Sequence, residues 1–144
     1  MNAGGVDKAC KSCDCSLQLP AFGYRLMKNF RFLNLRVYQD AKIFHRKVIY
    51  CTKVWPKEFE YSKNQLKRAA LSVVLNIAEG AGKSSDKDFN RYIQNSLGSI
   101  NESAACIDIA FSEKLLREEI YKDILEIMIN LKNSLGSLSK KLKS

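Results

Sequence analysis

A chain of 144 residues supports one domain able to bury about 70% of its unfolded surface, so no disulfide or metal is required to hold it together. No stretch approaches the roughly 20 apolar residues that span a bilayer, and the N-terminus has no continuous apolar core of signal-peptide length, which argues against membrane-spanning and exported classes. The net charge of +9 is concentrated in residues 27–91, with fourteen basic and six acidic groups, while 92–144 carry seven of each; such a one-sided field favours polyanionic partners.

In chain order, residues 1–26 show no sustained period and concentrate Gly4, Gly5, Pro20, Gly23 and three of the five cysteines. They read as a disordered or artefactual extension, with Met27 as the expected natural start and 27–144 as the domain. The odd cysteine count, with Cys51 and Cys106 inside apolar helical stretches, fits free thiols in a reducing, cytoplasmic compartment.

From Leu35, the residues Val37, Ala41, Phe44, Val48, Cys51 and Trp55 recur at spacings of four and three, which predicts a first helix ended by Trp55-Pro56. Leu66, Ala69, Ala70, Val73 and Ile77 mark a second, expected to stop at Gly80 and Gly82 in left-handed conformation. Ser84-Ser85-Asp86-Lys87-Asp88 reads as a cap on a third helix, whose stripe runs from Phe89 through Ile93, Leu97, Ile100, Ala104 and Ile107 to Phe111. The pattern slips at Glu113-Lys114, and a fourth stripe follows from Ile120 to Leu142. The predicted fold class is all-α, an antiparallel up-and-down four-helix bundle.

The second helix is apolar nearly all round. At 100° per residue Leu66, Ala70, Val73 and Ile77 face one way, and Leu71, Leu75 and Ala78 the other. This predicts an oligomer interface on the back of the helix, where Arg68 and Glu79 share the face three turns apart. A carboxylate at a helix C-terminus opposes the dipole, so Glu79 is expected to pair with Arg68 of a neighbouring chain. The competing reading is a solvated Glu79 beside two ordinary surface leucines.

Other motifs carry little chemistry. Gly80-Ala81-Gly82-Lys83-Ser84 imitates the end of a phosphate-binding loop, but Ile77 stands where the first glycine belongs, and a helix precedes it instead of a strand. Cys10, Cys13 and Cys15 lack a fourth zinc ligand nearby, and His45 is the single histidine, so neither a metal site nor a Ser-His-Asp arrangement can be assembled. No catalytic constellation, cofactor or metal is expected. Basic residues show more order: Lys42 and Arg46 lie four apart opposite the first helix's stripe, Lys83, Lys87 and Arg91 continue that spacing, and Lys63 and Lys67 add charge along the second helix. Lys140, Lys141 and Lys143 cluster at the end. Such rows suit phosphates along a nucleic-acid backbone, and equally a merely solvated surface.

Met27-Lys28-Asn29-Phe30, Leu35-Arg36-Val37-Tyr38-Gln39-Asp40-Ala41, Trp55-Pro56, Gln65-Leu66-Lys67-Arg68-Ala69-Ala70 and above all Asn76-Ile77-Ala78-Glu79-Gly80, followed by Leu97-Gly98-Ser99 and Glu102, are together distinctive. The chain resembles the bacterial four-helix-bundle proteins first named from reading frames inside intervening sequences of 23S ribosomal RNA genes. The resemblance covers 27–144 and implies a ring-like homopentamer. Related accessory variability proteins of diversity-generating retroelements imply binding of a reverse transcriptase and nucleic acid through basic surfaces. Many members read Ile-Pro-Ser where this chain has Val73-Val74-Leu75, so the cause of a proline kink is absent here.

The resulting expectation is a non-catalytic homo-oligomeric module that binds RNA or DNA. Nucleic-acid contacts are assigned to Lys42, Arg46, Lys63, Lys67, Lys83, Lys87 and Arg91, and assembly to Arg68, Leu71, Leu75, Ala78 and Glu79. The alternative is a protein-interaction scaffold whose charge serves solubility or an acidic protein partner. Peripheral membrane binding is disfavoured, because the basic helices lack an exposed aromatic edge at the required spacing.

Overall fold

The computed structural model describes residues 29–144, and every regular element among them is helical. A 3-10 turn (Arg31–Asn34) enters α1 (Arg36–Cys51). Turns at Thr52–Val54 and Lys57–Phe59 lead to α2 (Glu60–Ala81), followed by α3 (Asp86–Ser112) and α4 (Glu118–Lys143). The expected extension at 1–26, its three cysteines and the Met27 start lie outside the described residues.

Side-chain bonds between neighbouring helices fix their direction. Ser72 meets Ser99 and Glu79 meets Tyr92, so α2 and α3 run antiparallel; Asn101 meets Lys132 and Asp108 meets Tyr121, so α3 and α4 do too. Each helix packs on the next, and α1 closes the bundle against α4, giving the up-and-down arrangement that the periodicity predicts. The α1–α4 seam is the sparser closure, helped by an ion pair between Lys47 and Asp123 and grooved where Ile43, Ile127 and Leu131 meet Arg36 and Asp40.

The four stripes meet in one core. Phe44, Leu66, Ile77, Ile93, Ile107, Ile124 and Leu135 are fully enclosed, and side chains of this size each contribute about 1.5–3 kcal/mol on burial. Met128, outside the predicted stripe, is buried with them.

Helix ends depart from the sequence reading. α1 stops at Cys51, four residues before Trp55, because Thr52 turns its hydroxyl back onto the Val48 carbonyl at 2.8 Å and the chain tightens into a 3-10 turn. Trp55 is extended, as a residue before proline must be, and buried. Gly80 and Gly82 do not take the left-handed conformation. Gly80 lies inside α2, and Gly82 is right-handed at φ −84°, with Gly82 and Lys83 amides donating to the Glu79 and Gly80 carbonyls. What Gly80 supplies is space: a Cβ there would lie 2.7 Å from the Phe89 ring and 2.8 Å from Tyr92 Cβ, so α3 crosses over bare backbone. α2 runs unbroken through Val73-Val74-Leu75.

Ser85 caps α3 as expected, accepting from the Asp88 amide at 3.1 Å while its hydroxyl donates to the Asp88 carboxylate. The slip at Glu113-Lys114 is a left-handed helix stop: Lys114 has φ 60°, its amide donates to the Phe111 carbonyl, and the Leu115 amide donates to that of Ala110.

Candidate assembly face and nucleic-acid interface

The face of α2 turned away from the core is apolar and open. Leu71 is 42% exposed and Leu75 56%, and with Arg68, Ser72, Asn76 and Glu79 they line a shallow concavity. Four of the five residues assigned to assembly therefore share one surface. Ala78 stands apart, half-buried in a second groove of about 270 Å³ formed with Asn29, Phe30, Arg31 and Phe32.

Glu79 reaches both grooves, and its charge is already met within the chain. Tyr92 donates to its carboxylate at 2.7 Å and Lys83 at 3.3 Å, so the Tyr92 hydrogen bond first and Lys83 second hold its carboxyl below the ordinary range. The dipole penalty at the end of α2 is offset by its own neighbours, so Glu79 has no unmet need for a cation from another subunit. Arg68 is the opposite case: it is exposed, with no carboxylate partner among the described residues.

Sequence reasoning missed the polar seam between α2 and α3. Ser96, Ser99 and Ser103 are buried at helical spacing on α3. The Ser96 hydroxyl donates to the Val73 carbonyl, Ser72 and Ser99 share a bond of 2.9 Å, and Asn76 donates to Ser72. Gln65 donates to Glu102 further along. The signal was present as serines at spacings of three and four, but hydroxyls at such positions also suit a solvated face. Small side chains here let the helices approach closely, and each buried hydroxyl finds a partner, as burial demands.

The seven cations assigned to phosphate binding do not form one row. Lys63 and Lys83 sit toward opposite ends of α2, about 30 Å apart along its axis. Lys63 is mostly buried and paired to Glu60 at 3.0 Å; Lys42 donates to Gln39 at 3.1 Å and lies 5.6 Å from the Tyr38 ring. Arg46, Lys67 and Lys87 have no ion-pair partner among the described residues, and Arg91 is only loosely held by Asp88 at 3.9 Å.

Lys83, Lys87 and Arg91 instead join cations from other elements at one end of the bundle. Arg31 lies 6.0 Å from the centre of the Phe89 ring. Ser139 donates to Asn90 at 2.7 Å and accepts from Gln94 at 2.8 Å, bringing Lys140, Lys141 and Lys143 of the last turn of α4 to the start of α3. Among the described residues the side-chain carboxylates at this end are Asp40, Glu79, Asp86 and Asp88, and all but Asp86 are engaged by Arg36, Lys83 or Arg91. At the opposite end Lys53, Lys57, Lys114 and Arg117 alternate with Glu58, Glu113, Glu118 and Glu119. The bundle is thus electrically polar along its length.

The histidine and cysteines of the described residues, His45, Cys51 and Cys106, are not gathered into a metal site. Burial pushes the His45 pKa down, and the Cys51 thiol is raised to about 11 chiefly by burial. Among the described residues no group of three or more histidines, cysteines and carboxylates could hold a metal ion, and no helix is long and apolar enough to cross a membrane.

No curated protein matches the chain. The family model of the 23S rRNA-intervening sequence protein matches residues 33–137, from the first 3-10 turn into α4, so α1, α2, α3, most of α4 and the concavity at Leu71 and Leu75 fall within it, while Asn29–Phe32 of the second groove and the last turn of α4 lie outside. The chain belongs to the 23S rRNA-intervening sequence protein family.

Proposed function

We propose that this protein is a non-catalytic, homo-oligomeric accessory module, a pentameric ring, that binds RNA or DNA through exposed cations. The observation that carries the reading is the excess of exposed cations without a carboxylate partner among the described residues, with Lys87, Lys140, Lys141 and Lys143 among them, on a chain of net charge +9. Charge of this kind gives largely sequence-blind affinity by releasing counterions from phosphates. Assembly is supported by Leu71 and Leu75 beside an unpaired Arg68 on α2, an apolar patch with a cationic rim. Repetition around a ring multiplies a modest patch into useful avidity. A nucleic-acid enzyme such as a reverse transcriptase is the proposed protein partner.

Filter binding of RNA across a salt series tests the reading. Affinity should fall steeply as salt rises, with a log–log slope proportional to the number of phosphates neutralised. Affinity that is absent, or flat against salt, defeats it. In that case the scaffold reading takes over, and partners recovered from the native host should survive nuclease treatment.

A further inference from the structure

Resting on the nucleic-acid reading, we propose that the ligand is single-stranded and lies across the basic end of the bundle, its phosphates on Arg31, Lys87, Arg91 and the α4 terminal lysines and a base stacked on Phe30. Three elements distant in sequence deliver these groups to one place: the N-terminal turn through Arg31 over Phe89, the start of α3, and the last turn of α4 through Ser139. The aromatic component separates this end from an ordinary cationic surface.

Two aromatic residues border it, and they differ in availability. Lys83 at 4.8 Å and Arg91 at 5.7 Å occupy the Tyr92 ring, whose hydroxyl is committed to Glu79. Phe30 is 48% exposed, tilted at 50° against Phe32, and lines the groove with Arg31, Ala78 and Gly82. A half-exposed phenylalanine beside unpaired cations suits an unstacked base, because every base offers a π face and the neighbouring charges hold its backbone. A duplex keeps its bases stacked on each other and offers Phe30 nothing. The opposite end also carries exposed rings, Tyr61, and Tyr50 with Lys53 5.8 Å from its centre, but there Lys53, Lys57, Lys114 and Arg117 are balanced by Glu58, Glu113, Glu118 and Glu119, so an excess of positive charge beside a ring free of a cation is the mark of the Phe30 end.

Fluorescence anisotropy on the full-length protein tests this, using labelled 20-nucleotide oligo-dT and oligo-U strands and a duplex of equal length. Both single strands should bind more tightly than the duplex. Phe30→Ala should weaken the single strands by about tenfold, in the range of one lost stacking contact, and leave the duplex unchanged, while Phe30→Tyr retains binding. The double variant Lys87→Glu/Arg91→Glu and the triple variant Lys140→Glu/Lys141→Glu/Lys143→Glu should each weaken binding and flatten its salt dependence. Lys42→Glu/Arg46→Glu and Lys53→Glu/Lys57→Glu should change little. Circular dichroism confirms that each variant stays helical. Wild-type binding that prefers the duplex, ignores Phe30→Ala, or is lost only in the flank or opposite-end variants overturns the placement while sparing nucleic-acid binding itself. A wild-type protein that binds none of the three probes ends both.

Discussion

Lys114 pays a conformational penalty that its position does not require. Its φ of 60° places a residue with a side chain in the left-handed region, and the two backbone hydrogen bonds that close α3 depend on that geometry. The lysine ammonium makes no ion pair among the described residues, so nothing in the side chain compensates. Replacing Lys114 with Gly should therefore raise stability by about 1 kcal/mol, read as a higher urea midpoint with an unchanged slope. Glu79 teaches a related lesson. Its position at the end of α2 is legible in the sequence, where Arg68 of a neighbouring chain is the expected partner. The partners, Tyr92 and Lys83, were not visible, because the turn that brings α3 back over the end of α2 depends on packing.

At the scale of the helices, the hydrophobic stripes were legible because periodicity alone decides which face is buried. Phe44, Ile77, Ile93 and Ile124 follow it, while Met128 is buried off the predicted stripe and Leu97 and Ile127 on it are only partly buried. The ends were less legible: Thr52 ends α1 by a local hydroxyl bond, and Gly80 looks like a helix stop but serves as a crossing point. That crossing yields a direct test. Gly80→Ala would improve local helix propensity by roughly 1 kcal/mol, yet its Cβ must displace the Phe89 ring and Tyr92 Cβ. The clash should win, with a net loss of about 1–3 kcal/mol in denaturant unfolding. A gain in stability would show that the α2–α3 contact is looser than described. The serine seam belongs to the same crossing, since bulkier residues at 96, 99 and 103 would hold the two helices apart.

For the whole molecule, the two proposed surfaces adjoin at Glu79: assembly on the flank of α2, nucleic acid at the tip next to it. Cyclic assembly through the flank would set every basic tip on the same rim, since each subunit is related to the next by rotation alone. Leu75→Asp should break the assembly, lowering the mass measured by light scattering to that of one chain. Helicity should be retained, because Leu75 is more than half exposed in the single chain. An unchanged oligomer would move the contact elsewhere. None of this polarity was legible beforehand: Lys87 and Lys140 are 53 positions apart, and only the meeting of Ser139 with Asn90 makes them neighbours.

The thin closure between α1 and α4 gives the bundle a hem. Three of its four edges are stitched between helices that follow one another in the chain, while the last joins its two most distant strands of sequence across a groove at Ile43 and Ile127. Thermal breathing starts where the fewest apolar contacts must be surrendered, so this edge parts first and the α2–α3 hairpin last. Because Leu71 and Leu75 ride on that hairpin, the proposed docking flank keeps its shape even while the far side of the bundle gapes.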